Sequence, residues 1–401
     1  MEKLITFLLL VKIILMKQLI VGIDIGTHLT RVTVSATTRE NPVPQVIGFG
    51  QAESKGLRHG YIVNLQDATN SIKQAISNAE ENTSVKIKKA IISIGGISLS
   101  SEYAVGSAII SRADKEISPI DISNAINDSE QNLILTNKRI LHRVPVAYKV
   151  DGKLISARPD GLKGIKLEAK VLFVTCLSQH LDDLLSAVTN AGIEVLDVVA
   201  SPFAAASVTL SSKQRTVGSV LVDIGSETVS IVVFENDIPL TLQVFGIGGA
   251  EITKDIALGF KIPYDEAEGI KIGSIMSDLS RKKLDEIIQA RLTDIFELVD
   301  AHLKKNKCSG LLAGGAVIMG GGAQYPYIEQ LGKDILRLPV KLADPDIWGS
   351  SKNRLRDSSW FISAGLCTGM FGSGVDMEAD NASFIQTIKK LWKNVVHQLM
   401  P

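Results

Sequence analysis

Hydrophobic and polar positions follow one another along this chain in a pattern that predicts a mixed α/β protein. Two apolar segments, LIVGIDIG and SVLVDIG, each precede a segment in which apolar and polar residues alternate, so both predict pairs of strands. Apolar residues recur at intervals of three and four in residues 64–81 and 284–303, which places them on one face of a helix. We therefore expect an α/β fold.

The C-terminal residues 384–401 have the pattern of an amphipathic helix at a membrane surface. Its apolar face is flanked by lysines, as is typical of helices that lie in the membrane interface. The apolar residues are Phe384, Ile385, Ile388, Leu391, Trp392, Val395, Val396 and Leu399, and the lysines are Lys389, Lys390 and Lys393. The polar residues 373–383 predict a linker. A last helix packed on the globular body is the alternative. A single interfacial helix binds weakly, so stable attachment would need several copies.

The N-terminal residues 1–16 form an apolar extension. Residues 4–16 are an apolar run that Lys12 interrupts, and they are fewer than the roughly 20 residues that a membrane-spanning helix needs. No small-residue cleavage site follows, and Met16 directly precedes a predicted strand. We favour a mis-assigned or dispensable start, with a short membrane-contacting segment or ordinary packing as the alternatives.

Composition and charge restrict the possible functions. The 401 residues are 45% hydrophobic and 21% charged, which is enough to bury a core and argues against disorder. The 43 basic residues balance 43 acidic ones, so a nucleic-acid partner, which usually needs a basic excess, is not expected. Cys176, Cys308 and Cys367 match no metal-ligand spacing and are expected to be reduced and buried.

The two strand pairs carry the same candidate chemistry. The shared positions are Asp24, Gly26 and Thr27 in the first pair and Asp223, Gly225 and Ser226 in the second. Glycine permits a tight turn whose backbone N–H groups bind anions, and the hydroxyl adds a donor. Each aspartate can hold hydrated Mg²⁺ through water. One such turn is often only structural, whereas two copies on strong strands favour a nucleotide held from both sides.

A third element, AVIMGGGAQYPYIEQL, predicts a strand, a glycine turn and a helix. Gly320, Gly321 and Gly322 would allow the backbone to lie flat against a planar group such as adenine. Strand-to-helix turns also carry glycine for structural reasons alone. The order of hairpin, hairpin and glycine turn is harder to obtain by chance and favours a nucleotide-binding protein.

These elements resemble those of the FtsA family of bacterial cell division proteins, within the actin, Hsp70 and sugar-kinase ATPase superfamily. The resembling stretches include GIDIGTHLTRVTV, KGLRHGYIVNLQDATNSIKQAI, VLVDIGSETVSIVVF and GIGGAEITKDIALGFKIPYDEAEGIKIG. The resemblance extends from about Met16 to Pro401. It implies an actin-like (ribonuclease H-like) two-domain ATPase fold with an inserted 1C subdomain and a C-terminal amphipathic helix.

The resemblance also implies a division into subdomains. Residues 17–97 and 174–216 would form subdomain 1A, with 355–372 returning to it, and residues 98–173 would form the SHS2-like subdomain 1C. Residues 217–250 and 305–354 would form subdomain 2A. Residues 251–304 would form a trimmed subdomain 2B, because a strand-forming segment that is usual in the family is missing between KIGSIMSD and LSRKKLDE.

The cleft of such proteins binds ATP with Mg²⁺, and the resemblance transfers this site to matching positions. Glu268 and Lys271 match positions that contact the adenosine. The implied nucleotide-binding set is Asp24, Gly26, Thr27, His28, Asp223, Gly225, Ser226, Glu227, Gly248, Gly249, Glu268, Lys271, Gly320, Gly321 and Gly322, with Mg²⁺ held through water by Asp24 and Asp223. Glu227 departs from the family, since a carboxylate there would repel a γ-phosphate unless it points outward or helps to hold the metal.

Hydrolysis is expected to be slow or negligible. In actin-like ATPases a Gln or Glu positions the attacking water at the place that Ser201 occupies here. Serine polarises water poorly and cannot act as a general base at neutral pH. ATP would then act mainly as a bridge between the two halves.

The function that the resemblance implies is a cytoskeletal adaptor at the cytoplasmic face of the cell membrane, at the division septum. Such a protein forms filaments and binds the C-terminal peptide of FtsZ through subdomain 2B. It binds anionic lipid through its tail helix and later division proteins through subdomain 1C. Arg291 and Lys283, on the polar side of the helix around residues 284–303, would meet an acidic peptide, although a solvated helix face is the alternative.

Other functions on the same fold fit less well. A PilM-like pilus-assembly adaptor binds a peptide of a membrane partner and would not need its own lipid-binding tail. A sugar kinase would need a base aimed at its acceptor, and none is convincing here. A chaperone ATPase would need a large substrate-binding region after the ATPase.

Overall fold

The computed structural model describes residues 16–38, 44–155, 157–276, 279–344 and 357–369. The predicted N-terminal extension up to residue 15, the linker 373–383 and the amphipathic helix 384–401 lie outside these ranges. Among the helices inside them, none has the length and apolar character needed to cross a bilayer.

Strands and helices alternate along the chain in the way that the sequence pattern predicts. The described strands are β1 (Met16–Ile25), β2 (Leu29–Thr38), β3 (Gln45–Glu53), β4 (Leu57–Arg58), β5 (Tyr61–Ile62), β6 (Lys89–Ile94), β7 (Ser100–Ile109), β8 (Lys138–Val150), β9 (Lys153–Ile155), β10 (Lys166–Leu177), β11 (Glu194–Ala200), β12 (Ser219–Ile224), β13 (Val229–Glu235), β14 (Ile238–Phe245), β15 (Ala316–Met319) and β16 (Val340–Leu342). The described helices are α1 (Leu65–Thr83), α2 (Pro119–Gln131), α3 (Ser178–Asn190), α4 (Ser201–Thr209), α5 (Ser212–Val217), α6 (Gly249–Phe260), α7 (Tyr264–Lys271), α8 (Arg281–Lys305), α9 (Ile328–Leu336) and α10 (Phe361–Leu366). Short 3₁₀ turns lie at Gly321–Gln324 and Ser358–Trp360.

The first sheet has five strands in the order β11, β6, β1, β2 and β3. β1 and β2 form an antiparallel hairpin, whereas β6 runs parallel to both β1 and β11. α1 packs on this sheet through a buried apolar face that includes Ile72, Ala75 and Ile76. The side chain of Asn64 caps α1 by accepting from two backbone N–H groups at its start. Because β1 and β6 are parallel, the loops that follow them lie at one edge of the sheet.

The second sheet has nine strands in the order β16, β15, β12, β13, β14, β7, β10, β8 and β9. It combines strands of the second half with the strands of the inserted segment, which meet where Gln243 pairs with Ser100. The hydroxyl of Ser101 supports this junction by donating to the carbonyl of Leu242 at 3.0 Å, and it lies 2.8 Å from the Leu242 N–H. The insertion therefore extends the sheet of the second half.

The two halves share one hydrophobic core around α4. All residues of α4 are buried, and a helix that is apolar on all sides belongs in the interior of a protein. The core combines Ile23 of the first sheet with Leu221 and Val232 of the second. α10 crosses α4 where Gly365 faces the backbone of Ala204. The halves are consequently held together by packing below the cleft.

Residues 251–304 fold as the three helices α6, α7 and α8, and their described part contains no strand. These helices cover the other face of β12 and β13 and form a second core with it. Cys176, Cys308 and Cys367 are buried and free, as predicted.

Replacing Gly365 with alanine is expected to destabilise the fold by about 3 kcal/mol. The added Cβ would lie 1.8 Å from the carbonyl oxygen of Ala204, so α4 and α10 would have to separate. Chemical denaturation followed by circular dichroism measures the change. Gly246→Ala is the control, because Gly246 is exposed and its Cβ would meet its nearest neighbour, on Ile97, at 3.4 Å. Equal stability of the two variants would contradict the close crossing.

Candidate functional site

The two predicted hairpins lie next to each other between the halves, close enough for the charge of Asp24 to raise the pKa of Asp223, and we call the space between them the cleft. Asp24 lies near the end of β1, opposite Arg31 on β2, and Asp223 lies near the end of β12, opposite Ser230 on β13. The Asp24 carboxylate accepts a hydrogen bond from the hydroxyl of Ser93 at 2.7 Å. The hairpins therefore bring one aspartate from each half to the same place.

The two aspartates repel each other electrostatically. Burial raises the pKa of Asp24, against the hydrogen bond from Ser93 and the charge of Arg31. Burial and the negative charge of Asp24 together raise the pKa of Asp223 to about 7. A divalent cation between the two carboxylates would relieve both effects, and oxygen ligands suit Mg²⁺. The pair therefore fits the metal that the sequence predicts for Asp24 and Asp223.

Arg31 is a candidate site residue that the sequence alone did not point to. Its guanidinium is attracted by Asp24, Asp357 and Asp223, while burial lowers its pKa. Its Nε is buried without a hydrogen-bond partner in the described part of the chain. A buried guanidinium donor beside an anion-binding turn suits a phosphate oxygen. The register of the hairpin was the available signal, because Arg31 stands directly opposite Asp24.

The turn of the first hairpin is held by a loop between β4 and β5. The hydroxyl of Thr27 accepts a hydrogen bond from the N–H of Gly60 at 3.1 Å. His28 is exposed, and its carbonyl accepts from Ser54 N–H at 3.0 Å. A Cβ on Gly26 would lie 2.9 Å from the Leu29 carbonyl oxygen, so the tight turn needs glycine at this position.

The second hairpin rests on the start of α6. The carbonyl of Gly225 accepts from Gly249 N–H at 2.9 Å, and that of Ser226 accepts from Ala250 N–H at 2.7 Å. A Cβ on Gly248 would lie 2.6 Å from the Ser226 carbonyl oxygen. Gly248 and Gly249 therefore lie beside the predicted phosphate turn, and their observed contacts support its backbone.

Glu227 reaches from the tip of the second hairpin to the first half. Its carboxylate accepts a hydrogen bond from His59 N–H at 2.5 Å, and its carbonyl oxygen lies 3.1 Å from His59 Nδ1. These contacts link the tip of the second hairpin to the β4–β5 loop. The Glu227 carboxylate is therefore already paired with a backbone N–H of the first half.

His180 supports this loop from below. Its Nε2 lies 3.0 Å from the carbonyl oxygen of Gly60, and its Nδ1 lies 2.8 Å from the Ser98 hydroxyl. The Tyr61 ring packs against the imidazole with 4.6 Å between centroids. Burial lowers the pKa of His180, so the neutral ring is favoured.

The glycine turn after β15 packs against the second aspartate. A Cβ on Gly320 would lie 2.4 Å from Asp223 Oδ1, and one on Gly322 would lie 2.5 Å from Ile224 Cγ2. A Cβ on Gly321 would meet no atom within 4 Å. Gly320 and Gly322 are thus required for close packing, while Gly321 is exposed and borders open space.

The predicted adenosine contacts, Glu268 and Lys271, form a compact network on α7. Lys271 Nζ lies 2.7 Å from a Glu268 carboxylate oxygen and donates to the hydroxyl of Thr253 at 2.7 Å. It also donates to the Gly249 carbonyl at 3.0 Å. The hydroxyl of Thr253 donates to Glu268. This network connects the base of the second hairpin with α7.

Ser201 is the first residue of α4 and is buried. It occupies the place at which actin-like ATPases are expected to carry a water-positioning Gln or Glu. A Cβ on Gly95 would lie 3.2 Å from the Ser201 hydroxyl oxygen, so the loop after β6 covers it closely. The Ser201 hydroxyl is therefore largely covered by protein.

The predicted peptide contacts lie on a different surface, on α8. The guanidinium of Arg291 donates to both carboxylate oxygens of Asp255, at 2.7 and 3.1 Å, and to Asp294 at 3.1 Å. Lys283 Nζ donates to the Gly259 carbonyl at 2.5 Å and lies 4.8 Å from the Phe260 ring centroid. An open cavity of about 300 Å³ between α6 and α8 is lined by Asp255, Leu258, Ile287, Ala290, Arg291 and Asp294. Arg291 thus borders a groove, whereas Lys283 is not among the residues lining it and is bonded to the Gly259 carbonyl.

The predicted membrane contacts on residues 384–401 lie outside the described residues.

Comparison with protein families gives two matches. Residues 220–365 match the family described as cell division protein FtsA. Residues 96–175 match the SHS2 domain inserted in FtsA. The second range is the segment that contains β7–β10 and α2, which extends the nine-stranded sheet.

Several cell division proteins named FtsA are similar over most of their length. That of Borreliella burgdorferi is 31% identical over 352 residues, covering 82% of this chain and 85% of the relative. That of Bacillus subtilis is 30% identical over 371 residues, covering 87% and 82%. That of Pseudomonas aeruginosa is 29% identical over 394 residues, covering 92% and 93%.

Solved structures with the same fold come from several actin-like proteins. The PilM–PilN type IV pilus biogenesis complex contains a chain that aligns with a TM-score of 0.66 at 16% identity, covering 87% of this chain and 97% of the other. MreB 5 of Spiroplasma citri bound to AMPPNP aligns with a TM-score of 0.50 at 15% identity, covering 94% and 99%. At these identities the similarity supports the predicted actin-like fold and nothing finer.

Acidification is expected to destabilise the protein through His180. The pKa of His180 is lowered from its usual 6.5 in the folded state. Just below pH 6.5 the unfolded chain therefore binds a proton that the folded chain does not, and stability falls as the pH drops toward the folded-state pKa. The free energy of unfolding would be measured at pH values of about 7.5 and about 5.5 for the protein and for His180→Gln.

The variant should lose less stability than the original protein over this pH range. His28→Gln is the control, because His28 is exposed at the turn of the first hairpin. Identical pH profiles for His180→Gln and the original protein would show that His180 is not held neutral.

Proposed function

The chain belongs to the FtsA family of cell division proteins, and we propose that within it the protein is an ATP-binding adaptor that tethers FtsZ filaments to the membrane. The observation that carries this proposal is the 31% identity to a cell division FtsA over 82% of the chain. The actin-like fold and the inserted SHS2 domain accompany it. The finer assignments below rest on the geometry of the cleft and the groove.

ATP would bind between the two hairpins. The turns at Thr27 and Ser226 would face its phosphates, with Arg31 donating to a phosphate oxygen and Gly321 bordering the base. Asp24 and Asp223 would hold Mg²⁺ through water, and the cation would neutralise charge on the phosphates. Glu268 and Lys271 would contact the adenosine after rearranging the network that now joins them to Thr253.

The role of ATP would be to bridge the two halves. Ser201, at the position expected to orient the attacking water, supplies no general base and is buried at the start of α4. We therefore expect slow or negligible turnover. Nucleotide would stabilise one arrangement of the hairpins and so favour contacts between subunits in a filament.

The groove between α6 and α8 would receive the C-terminal peptide of FtsZ. Leu258 is highly exposed and Ile287 is partly buried, so apolar side chains line part of the groove. Arg291 would exchange part of its pairing with Asp255 and Asp294 for a carboxylate of the peptide. Lys283 would contribute only if it left the Gly259 carbonyl.

The inserted segment would contact later division proteins. One face of the inserted sheet, which includes Gly106 and Ala169, lies against α2. Val105 on β7 and Lys170 on β10 are cross-strand neighbours on the opposite face. Val105, Ile109 and Leu154 are exposed. An exposed apolar sheet face with lysines suits a protein partner.

The C-terminal residues 384–401 would bind anionic lipid at the cytoplasmic face of the membrane. Apolar residues with interspersed lysines and no acidic residue suit an interfacial helix. Filament formation would present many such helices on one surface, so that individually weak binding becomes strong. The protein would thereby be a peripheral membrane protein at the division septum.

A PilM-like pilus-assembly adaptor is the second candidate, favoured only by the fold similarity to PilM. It would bind a peptide of a membrane partner and would not require the tail to bind lipid. The two candidates differ most directly in what the tail does.

Sedimentation with anionic vesicles tests the proposed function. The full chain should pellet with vesicles, more strongly with Mg-ATP, while the chain truncated after Asp380 should stay in the supernatant. Neutral vesicles serve as the control for the lysines. Pelleting of both chains would place the lipid contact elsewhere, and pelleting of neither would favour the PilM-like alternative.

Arg291→Glu is expected to weaken binding of a synthetic FtsZ C-terminal peptide by at least about tenfold, because it reverses the charge beside the groove. Fluorescence anisotropy of the labelled peptide measures the affinity. Arg281→Glu is the matched control, since Arg281 starts the same helix and its side chain is 80% exposed. Equal affinity of the two variants would remove the groove from the proposal.

A further inference from the structure

The segment Asp357–Trp360 lies over the guanidinium of Arg31. Arg31 Cζ is 5.7 Å from the centroid of the Trp360 ring, within the range of a cation–π contact. Trp360 is only 5% exposed, and its ring packs against Phe49 in an edge-on arrangement with 5.0 Å between centroids. The ring is therefore a fixed surface against which Arg31 lies.

The segment is anchored to both halves of the protein. The hydroxyl of Ser358 donates to the Gly320 carbonyl at 3.4 Å, which ties it to the glycine turn of the second half. The hydroxyl of Ser363, in α10 directly after the segment, lies 2.8 Å from that of Thr33 on β2. The Asp357 carboxylate accepts from Ser359 N–H at 3.0 Å and so fixes the turn itself. The position of the Trp360 ring is thus set by contacts on each side of the cleft.

Arg31 has competing partners within the cleft. The charges of Asp24 and Asp223 attract it toward the cleft floor, and Asp357 attracts it toward the segment. Without a contact that fixes its guanidinium, Arg31 could form an ion pair with Asp24 or Asp223, and its donors would then be occupied when an anion enters. A flat aromatic surface restricts the guanidinium plane without using its hydrogen-bond donors. This matches the buried Arg31 Nε, which has no hydrogen-bond partner among the described residues.

We propose that Trp360 is a positioning residue for nucleotide binding: it holds the guanidinium of Arg31 in the orientation that a phosphate oxygen needs. The proposal rests on the proposed nucleotide site and adds a residue that is more than 300 positions from Arg31 in the sequence. Trp360 itself contacts no phosphate. Phosphate binding draws Arg31 toward the nucleotide and changes the environment of the Trp360 ring.

Fluorescence of Trp360 tests the contact without any nucleotide. In the chain carrying W348F and W392F, Trp360 is the remaining tryptophan, since the sequence contains three. Arg31→Gln should change the intensity or the maximum of its emission, and Arg31→Lys should change it less. Unchanged emission in Arg31→Gln would overturn the proposal.

Binding of a fluorescent ATP analogue with Mg²⁺ tests the positioning role. Trp360→Leu should weaken binding roughly fivefold, and Trp360→Phe, which retains an aromatic face, should restore most of the affinity. In the Arg31→Gln background, Trp360→Leu should have no further effect, because the two residues act through one contact. Equal losses in both backgrounds would mean that Trp360 is only structural and would overturn the proposal.

Thermal unfolding of each variant identifies any loss of nucleotide affinity that comes from misfolding. If Trp360→Leu is unfolded, the comparison is made with the more conservative Trp360→Phe. Absence of nucleotide binding in the original protein would overturn the proposed function and the positioning role with it. The emission of Trp360 without nucleotide would still report separately whether Arg31 and Trp360 are in contact.

Discussion

Two buried carboxyl groups, Asp24 and Asp223, lie close enough for the charge of Asp24 to raise the pKa of Asp223, and the other polar groups of the site are arranged around that repulsion. Each aspartate ends a strand that belongs to a packed sheet, so neither can move away without disturbing the core. Burial raises the pKa of Asp24, and burial together with the charge of Asp24 raises the pKa of Asp223 to about 7. Arg31 reduces the repulsion in part, and a bound cation would reduce it further.

Contacts between the halves lie both in their shared core and around the cleft. The halves share a core through α4, and the loop between β4 and β5 bonds to both hairpins, to Thr27 through Gly60 and to Glu227 through His59. Ser358 joins the C-terminal segment to the glycine turn. The two aspartates are therefore held at a set separation before any ligand enters, and a ligand would add to this arrangement.

Sequence reasoning located most of the elements of the site but only some of the contacts. Two hairpins, the glycine turn and α7 were assigned from local pattern and resemblance. Arg31 was missed because a single arginine on an alternating strand is not distinctive until the register of the hairpin places it opposite Asp24. Gly249 was predicted to lie near the phosphates, and in the structure its N–H bonds to the Gly225 carbonyl of the predicted phosphate turn. The continuity of the inserted strands with the second sheet was also unforeseen, because it depends on one pairing, Gln243 with Ser100.

The sequence by itself determined the strands, the turns and the helices, since each follows from spacing within a few residues: alternation in a strand, glycine in a tight turn, apolar residues three and four apart in a helix. Only the tertiary structure decided which side chains meet. Glu227 bonds to His59, and Trp360 lies over Arg31, although each pair is far apart in the chain. Such contacts depend on how the sheets pack around α4, and local spacing carries no information about that packing.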